Sequence, residues 1–310
     1  MNATTLRATV AICTYNRAAL LRRTLDCLAR QDYPRDALEV LVIDNNSTDD
    51  TRSVVASFSG AATAPRWILE TRQGLNHARN RAVAEAQGEI IVFGDDDILV
   101  APDRVGQIVA PFAEASRRIG CVGGEVVPEF PDGAPDWVSQ GHSPLAFRPD
   151  AGPLPPSQSP MGANFAFPRW VFAEHGPFSA ALDRRGRSLL GGGDTEMIRR
   201  VRAAGLEIWF APAAAARHQM PASRTTFRYA ARHAFDSARS RVIERAEKPG
   251  STGYLASRLL ANAAKVPGFA VLALLNALVL RTGGAKKALV RAWRSCGYIY
   301  QIPRSLLGKQ

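Results

Sequence analysis

Asp95, Asp96 and Asp97 follow the apolar run EIIVF and Gly94. Three adjacent carboxylates repel one another at neutral pH, and a divalent cation relieves that repulsion. In an extended segment residues i and i+2 point to one side, so Asp95 and Asp97 can serve one ligand set. Mg2+ or Mn2+ prefers such oxygens, often together with substrate phosphates. The plainer reading is a polar turn with exposed acids. Asp194 and Glu196 follow three glycines at the head of a helical pattern. A helix N-terminus favours an ionised acid there, and a carboxylate so held can act as general base toward a hydroxyl. Asp194 as a helix cap, with Glu196 an ordinary first-turn acid, explains the spacing equally well. Asp44 closes a second apolar run and can accept hydrogen bonds from a base or ribose, or serve a turn. Thr14 to Arg17 can bring backbone amides and a cation to a nucleotide, or form an ordinary capped turn. His218 can complete a metal site as a neutral imidazole, although a lone histidine is more often structural.

These residues need elements to hold them. Residues 8–13, 38–43, 66–70 and 89–93 read as strands, and 18–30, 50–58 and 75–87 as helices, with Gly88 as the stop of the third. The alternation through residue 112 implies parallel strands with crossover helices. In such sheets ligands sit beyond the carboxyl ends of the strands. Thr14–Arg17, Asp44 and Asp95–Asp97 all lie at such ends. Further strands are expected at 120–127, 161–167 and 207–211, and helices at 168–175 and from the glycine run to Gly205. Residues 128–160 are dense in Pro, Gly and Asp and read as a long loop, a candidate for closing over substrate.

The chain has 310 residues, 46% hydrophobic and 22% charged, long enough for a sizeable core without staples. Cys13, Cys27, Cys121 and Cys296 are far apart, which excludes a disulfide scaffold and a thiolate zinc site and suits a reducing compartment. The N-terminus has no long apolar stretch of the secretory kind. The net charge of +11 is unevenly placed. Residues 1–150 carry 15 basic and 20 acidic side chains, whereas residues 221–310 carry 16 and 3. A basic helix is expected over 223–248. The uncharged run 266–280 is short for a membrane span, yet it is flanked by cations, with Trp293, Tyr298 and Tyr300 nearby. That pattern fits a helix lying in an anionic membrane interface. A helix packed on the body is the alternative.

Taken in order, VAICTYNRAALLRRTLDCLARQDYP, EVLVIDNNSTDDT, GLNHARNRAVAEAQGEIIVFGDDD, GANFAFPRWVFAEHGPF and GGGDTEMIRRVRAAG, then His218, resemble the family 2 glycosyltransferases. The resemblance covers roughly residues 8–220. It implies the GT-A fold, an α/β, Rossmann-like, mostly parallel sheet flanked by helices. Here that gives a catalytic domain at 1–220 and a basic, amphipathic helical region at 221–310. It also implies inverting transfer of a sugar from a nucleotide diphosphate, UDP by default, with Mn2+ or Mg2+. By motif position Thr14, Tyr15, Asn16, Arg17 and Asp44 line the nucleotide pocket, and Asn76, Arg79 and Asn80 help hold the diphosphate. Asp95 faces the ribose or donor sugar, with Asp96 in the same set, and Asp97 and His218 hold the metal. Asp194 is the base, at the second acid of a usual Glu-Asp pair whose first member is Gly193 here. Glu196 and Arg200 match further positions of that motif, and Asn164 lies where a sugar is expected.

The implied acceptor is a lipid-linked or polysaccharide hydroxyl at the cytoplasmic face of the inner membrane, with peripheral or monotopic attachment and no nucleic acid partner. Three competing functions differ in kind, and the first, a nucleic-acid binder that uses the basic tail, fits the apolar run 266–280 less well than a lipid surface does. A sugar-1-phosphate nucleotidyltransferase usually has a glycine-rich loop after the first strand, where this chain has TYNR. A catalytically inactive scaffold is opposed by the presence of Asp97 and Asp194, while Gly193 in place of the usual acid keeps it open.

Overall fold

The computed structural model describes residues 5–113, 118–130, 133, 150–180, 182–183, 189–246 and 248–308. Most of the expected loop 128–160 lies outside them. The chain divides into two compact units. The first comprises Met1–Glu129, Ser143–Ala180 and Asp194–Gln219, and the second Phe130–His142, Ala181–Gly193 and Met220–Gln310.

The first unit is built on strands β1 (Ala8–Thr14), β2 (Leu38–Asp44), β3 (Arg66–Leu69), β4 (Ile90–Asp95), β5 (Ile98–Val100), β6 (Ile119–Glu129), β7 (Gly152–Pro153), β8 (Asn164–Pro168) and β9 (Glu207–Gln219). Helices α1 (Ala18–Leu28), α2 (Thr51–Ala56), α3 (Leu75–Glu85), α4 (Arg104–Val109), α5 (Arg169–His175) and α6 (Gly193–Ala203) connect them. The strand order is β3-β2-β1-β4-β8-β6-β9-β5, with β7 paired to β9. The β3-β2-β1-β4 half is parallel, as alternating strands and helices demand. The other half is mixed: β8 runs antiparallel to β4 and β6, and β5 antiparallel to β9, while β6 and β9 are parallel. "Mostly parallel" therefore describes one half of the sheet.

Successive strand residues go to opposite faces, so each face carries its own core. Val10, Ile12, Val40, Val42 and Val92 pack with Leu21, Leu25 and Leu28 of α1 and with Val105 and Ile108 of α4. Ala11, Leu41, Ile43, Ile91 and Phe93 face α3, α5 and α6. There Phe93, Phe165, Phe167, Phe172 and Phe178 form an aromatic cluster with ring centroids 5.0–6.4 Å apart. Gly88 does not end α3, which stops at Glu85. A Cβ at Gly88 would sit 2.6 Å from the Thr9 nitrogen, so this glycine permits close passage of β1.

The second unit contains α7 (Phe227–Ala246), α8 (Ser251–Leu278) and α9 (Thr282–Leu307). Its small core joins Ala238, Val242, Leu255, Tyr298 and Ile302. Residues 266–278 of the run 266–280 are the C-terminal part of α8, a longer helix than the apolar stretch predicts, and Val279 and Leu280 lie just past its end. Arg258 and Lys265 interrupt the hydrophobicity without breaking the backbone ladder. Among the described residues α8 is the one helix long and apolar enough to cross a membrane, and only 11% of its most apolar window is buried.

Candidate active site

The strand register sets the site. Parallel pairing places Thr14 beside Asp44 and Cys13 beside Asp95, so three strands deliver their polar ends to one edge. β5 pairs Ile98 with His218 of β9, which brings the imidazole next to the aspartate turn. His218 Nε2 lies 2.9 Å from Asp97 Oδ1, and Arg17 Nη2 lies 2.9 Å from Asp97 Oδ2. Arg17 Nη1 also donates to Asp96, whose other oxygen accepts from Thr14 Oγ1 at 2.8 Å. One ligand atom each from Asp95, Asp97 and His218 lies within 4.8 Å of the others.

Asp96 and Asp97 are buried. Burial pushes the Asp96 carboxyl up to about 6, against the pull of Arg17 and with the neighbouring Asp97 adding to the rise. For Arg17, burial works against the charged form, but Asp96, Asp97 and Asp95 outweigh it and hold the guanidinium above its ordinary value. The turn is tied from below by Thr24, whose hydroxyl donates to the carbonyls of Asp96 and Ile98 at 3.0 and 2.9 Å. Thr24 is not among the site residues expected from the sequence. Its signal is a threonine inside the leucine stripe of α1.

The residues expected to line a nucleotide pocket divide into open and occupied groups. Tyr15 is 41% exposed at the end of β1. Asn16 adopts φ of 52°, and its side-chain oxygen accepts from the Thr48 N–H at 2.7 Å. Asp44 is buried, with one oxygen accepting from the Ser47 N–H at 2.8 Å and the other from Trp67 Nε1 at 3.2 Å. The Asx turn and the indole fix the loop after β2, so the turn reading of Asp44 describes its contacts in this structure.

Asn76, Arg79 and Asn80 all sit on α3. Asn80 Nδ2 donates to the Phe178 carbonyl, and the Phe178 N–H returns a bond to Asn80 Oδ1. Asn76 Nδ2 donates to the Ser179 carbonyl at 2.8 Å. Arg79 lies over the rings of Phe165 and Phe178 at 5.4 and 5.5 Å and donates to the Gly162 carbonyl at 3.2 Å. Asp194 opens α6, with Oδ1 accepting from the Thr195 N–H at 2.8 Å. A Cβ at Gly162 would fall 2.6 Å from Asp194 Oδ2 and 2.7 Å from Arg79 Nη2, so carboxylate and guanidinium flank the same glycine.

Three expected site residues are engaged elsewhere. Glu196 pairs with Arg200 at 3.0 Å, one helical turn on, and Arg200 Nη2 clasps the Pro177 carbonyl at 2.8 Å. Asn164 is fully buried, and its amide is spent on Arg104, Glu125 and Ala214. It therefore offers nothing to a sugar in this arrangement. Arg104 itself carried no signal in the sequence beyond being a charge in an apolar pattern.

The family model for glycosyl transferase family 2 matches residues 9–176. The chain belongs to glycosyl transferase family 2. The validoxylamine A glucosyltransferase of Streptomyces hygroscopicus subsp. jinggangensis is 38% identical over 117 residues, covering 36% of this chain and 28% of that protein. The GalNAc(5)-diNAcBac-PP-undecaprenol beta-1,3-glucosyltransferase of Campylobacter jejuni is 36% identical over 93 residues, covering 29% of each chain. The chain thus covers less than a third of the length of either relative. The mannosyltransferase PcManGT from Pyrobaculum calidifontis, solved with GDP-Man and Mn2+, superposes with a TM-score of 0.61 at 24% identity, over 99% of this chain and 89% of that one. The fold of this family 2 member is the GT-A fold.

The donor set suits a divalent cation. Two carboxylates and an imidazole that converge within 4.8 Å supply hard oxygens and one borderline nitrogen. Arg17 already partly neutralises the acids, so a cation entering here meets a site whose repulsion is not fully relieved. Asp96 is engaged by Thr14 and Arg17 and supplies none of the three converging ligand atoms.

Proposed function

We propose that this chain is an inverting, metal-dependent glycosyltransferase that moves a sugar from a nucleotide-diphosphate sugar, UDP-linked by default, to a hydroxyl of a lipid-linked or polysaccharide acceptor. The observation that carries the reading is the convergence of Asp95, Asp97 and His218 at the strand ends that also present Thr14, Arg17 and Asp44. Tyr15, Asn16 and the loop after Asp44 form the rim that receives the base and ribose. Asp95, Asp97 and His218 would hold Mn2+ or Mg2+, which when bound offsets charge on the diphosphate. Arg17 adds a fixed positive charge on the same rim. Asp194 Oδ2 takes the proton of the acceptor hydroxyl as its oxygen attacks the anomeric carbon. The bond from that carbon to the diphosphate oxygen breaks, and the nucleoside diphosphate leaves with the electron pair. Attack from the face opposite the leaving group inverts the centre, so no enzyme nucleophile is required. Calorimetric titration with UDP, GDP and dTDP, with and without Mn2+, tests the reading. One nucleotide is expected to bind tightly and only with metal. Folded protein that binds none of the three makes the inactive scaffold the better account.

The acceptor class draws on the undecaprenol-linked glucosyltransferase relative and on the second unit. Leu274, Leu278 and Leu280 are 60%, 70% and 86% exposed on or just after α8. Arg281, Lys286, Lys287, Arg291 and Arg294 follow them. Apolar side chains beside cations suit an anionic membrane surface at its cytoplasmic face better than nucleic acid. The full chain is expected to co-sediment with phosphatidylglycerol-containing vesicles, less with phosphatidylcholine alone. Leu274→Glu together with Leu278→Glu should abolish the binding. A salt-dependent shift with duplex DNA and no vesicle binding would reverse the assignment.

A further inference from the structure

Arg104 opens α4 and is fully buried. Its guanidinium forms no ion pair with a carboxylate among the described residues, and Nη1 has no hydrogen-bond partner there. Burial lowers its pKa to about 10, which still leaves it charged at neutral pH. A lone buried cation is costly, and an apolar side chain of similar size would fill the space at less expense. The fork that remains is directed at two targets. Nε and Nη2 both donate to Asn164 Oδ1, at 3.2 and 2.8 Å, and Nη2 also donates to the Phe93 carbonyl at 3.2 Å.

Asn164 carries this hold across the sheet. Its Nδ2 donates to the Glu125 carbonyl at 2.9 Å and to the Ala214 carbonyl at 2.6 Å. Those carbonyls lie where the register between β6 and β9 shifts: Gly124 pairs with Ala211, but Val126 pairs with Ala216. The extra residues of β9 bulge between those pairs and leave the Ala214 carbonyl outside the ladder. Asn164 satisfies it, and a Cβ at Gly124 would collide with that carbonyl at 2.0 Å. Because side chains alternate, a one-residue slip at the bulge would turn His218 to the other face. On the other side of the network, Phe93 lies two residues before Asp95.

We infer that Arg104 is a positioning residue for the metal site, acting through Asn164 to hold the bulge of β9 in the register that sets His218 against Asp97. It touches no substrate. The inference rests on the metal-dependent reading above. It predicts that the planar fork matters and not the charge alone, so lysine is no substitute.

The test is Mn2+ binding to the full chain without donor, followed by electron paramagnetic resonance, with circular dichroism and thermal melting alongside. Arg104→Lys and Arg104→Met are each expected to weaken Mn2+ binding about 10- to 100-fold, the range for partners that orient metal ligands, and to alter the bound-Mn2+ signal. Val105→Ala, a cavity in the buried neighbour on the same helix, should lower the melting temperature and leave Mn2+ affinity within about twofold. Arg104→Lys that is folded and binds Mn2+ as the wild type does overturns the inference while the functional reading stands. A Val105→Ala loss of affinity equal to that of Arg104→Lys overturns it too, because general loosening would then suffice. Failure of both Arg104 variants to fold assigns the residue to stability alone and rejects the positioning role. A wild type that binds no Mn2+ removes the functional reading and this inference together.

Discussion

Asp97→Ala is expected to remove metal-dependent donor binding and to lower sugar transfer about 10²- to 10³-fold, the loss typical when one charge-stabilising element of a transition state is deleted. The carboxylate is wholly buried, and both of its oxygens are engaged, one by Arg17 and one by His218. Alanine deletes the proposed ligand and leaves a guanidinium and an imidazole without the carboxylate between them. Arg17 keeps Asp96 as a partner, so the protein should remain folded with a lower melting temperature. Asp97→Asn preserves shape and removes only charge. It should lose nearly as much transfer with a smaller stability change. Titration with nucleotide and Mn2+, together with a product assay on the same preparations, reads both effects. Undiminished Mn2+-dependent binding in both variants would exclude Asp97 as a ligand.

Asp194→Asn should lower kcat about 10²- to 10⁴-fold with donor affinity unchanged, as removal of a general base does. The helix start of α6 and the Thr195 N–H orient the carboxylate, and Oδ2 is turned toward Gly162. Gly162→Ala is the geometric complement. The added methyl would press on both Asp194 Oδ2 and Arg79 Nη2, at distances where a neighbour must move. It should reduce kcat more than tenfold, because a small misplacement of a reacting group is costly. Nucleotide binding should change much less. Single-turnover rates separate the two quantities. A fully active Asp194→Asn would leave Asp194 as the cap that the sequence equally allowed.

The contrast between Asp97 and His218 shows how much of the site was legible. The aspartates stand at the end of a continuous apolar run, and the buried parallel strands were visible as such runs. Once β1, β2 and β4 are parallel, their polar ends must lie together, so Thr14, Asp44 and Asp95 form one group on strand direction alone. His218 had no such frame. Its strand was expected to end near residue 211, but β9 runs to Gln219. The stretch Ala213–Ala216 has no alternation to mark it as a strand, and β5 is only three residues long. The pairing of Ile98 with His218 is a long-range event that no local pattern encodes.

A similar division applies to the residues of α3 and α6. Their types fit the family motif, yet Asn80 and Arg200 bond the segment around His175–Phe178, and Glu196 pairs with Arg200 on its own helix. Polar side chains are equally suited to a phosphate or to a loop carbonyl, and only packing decides which they meet. The basic character of residues 221–310 is likewise a property of composition alone, whereas the length of α8 is not. A helix continues through an isolated cation because its hydrogen bonds are internal.

The sequence by itself determined the parallel half of the sheet, the helices whose apolar stripes cover it, and the acids at the strand ends. These follow from local periodicity and from the rule that strand ends share an edge. The tertiary structure alone decided the antiparallel half, the bulge that aims His218, and the buried Arg104–Asn164 link. Those features depend on which distant carbonyls and charges come to lie within a few ångströms, and that is set by the folded chain as a whole.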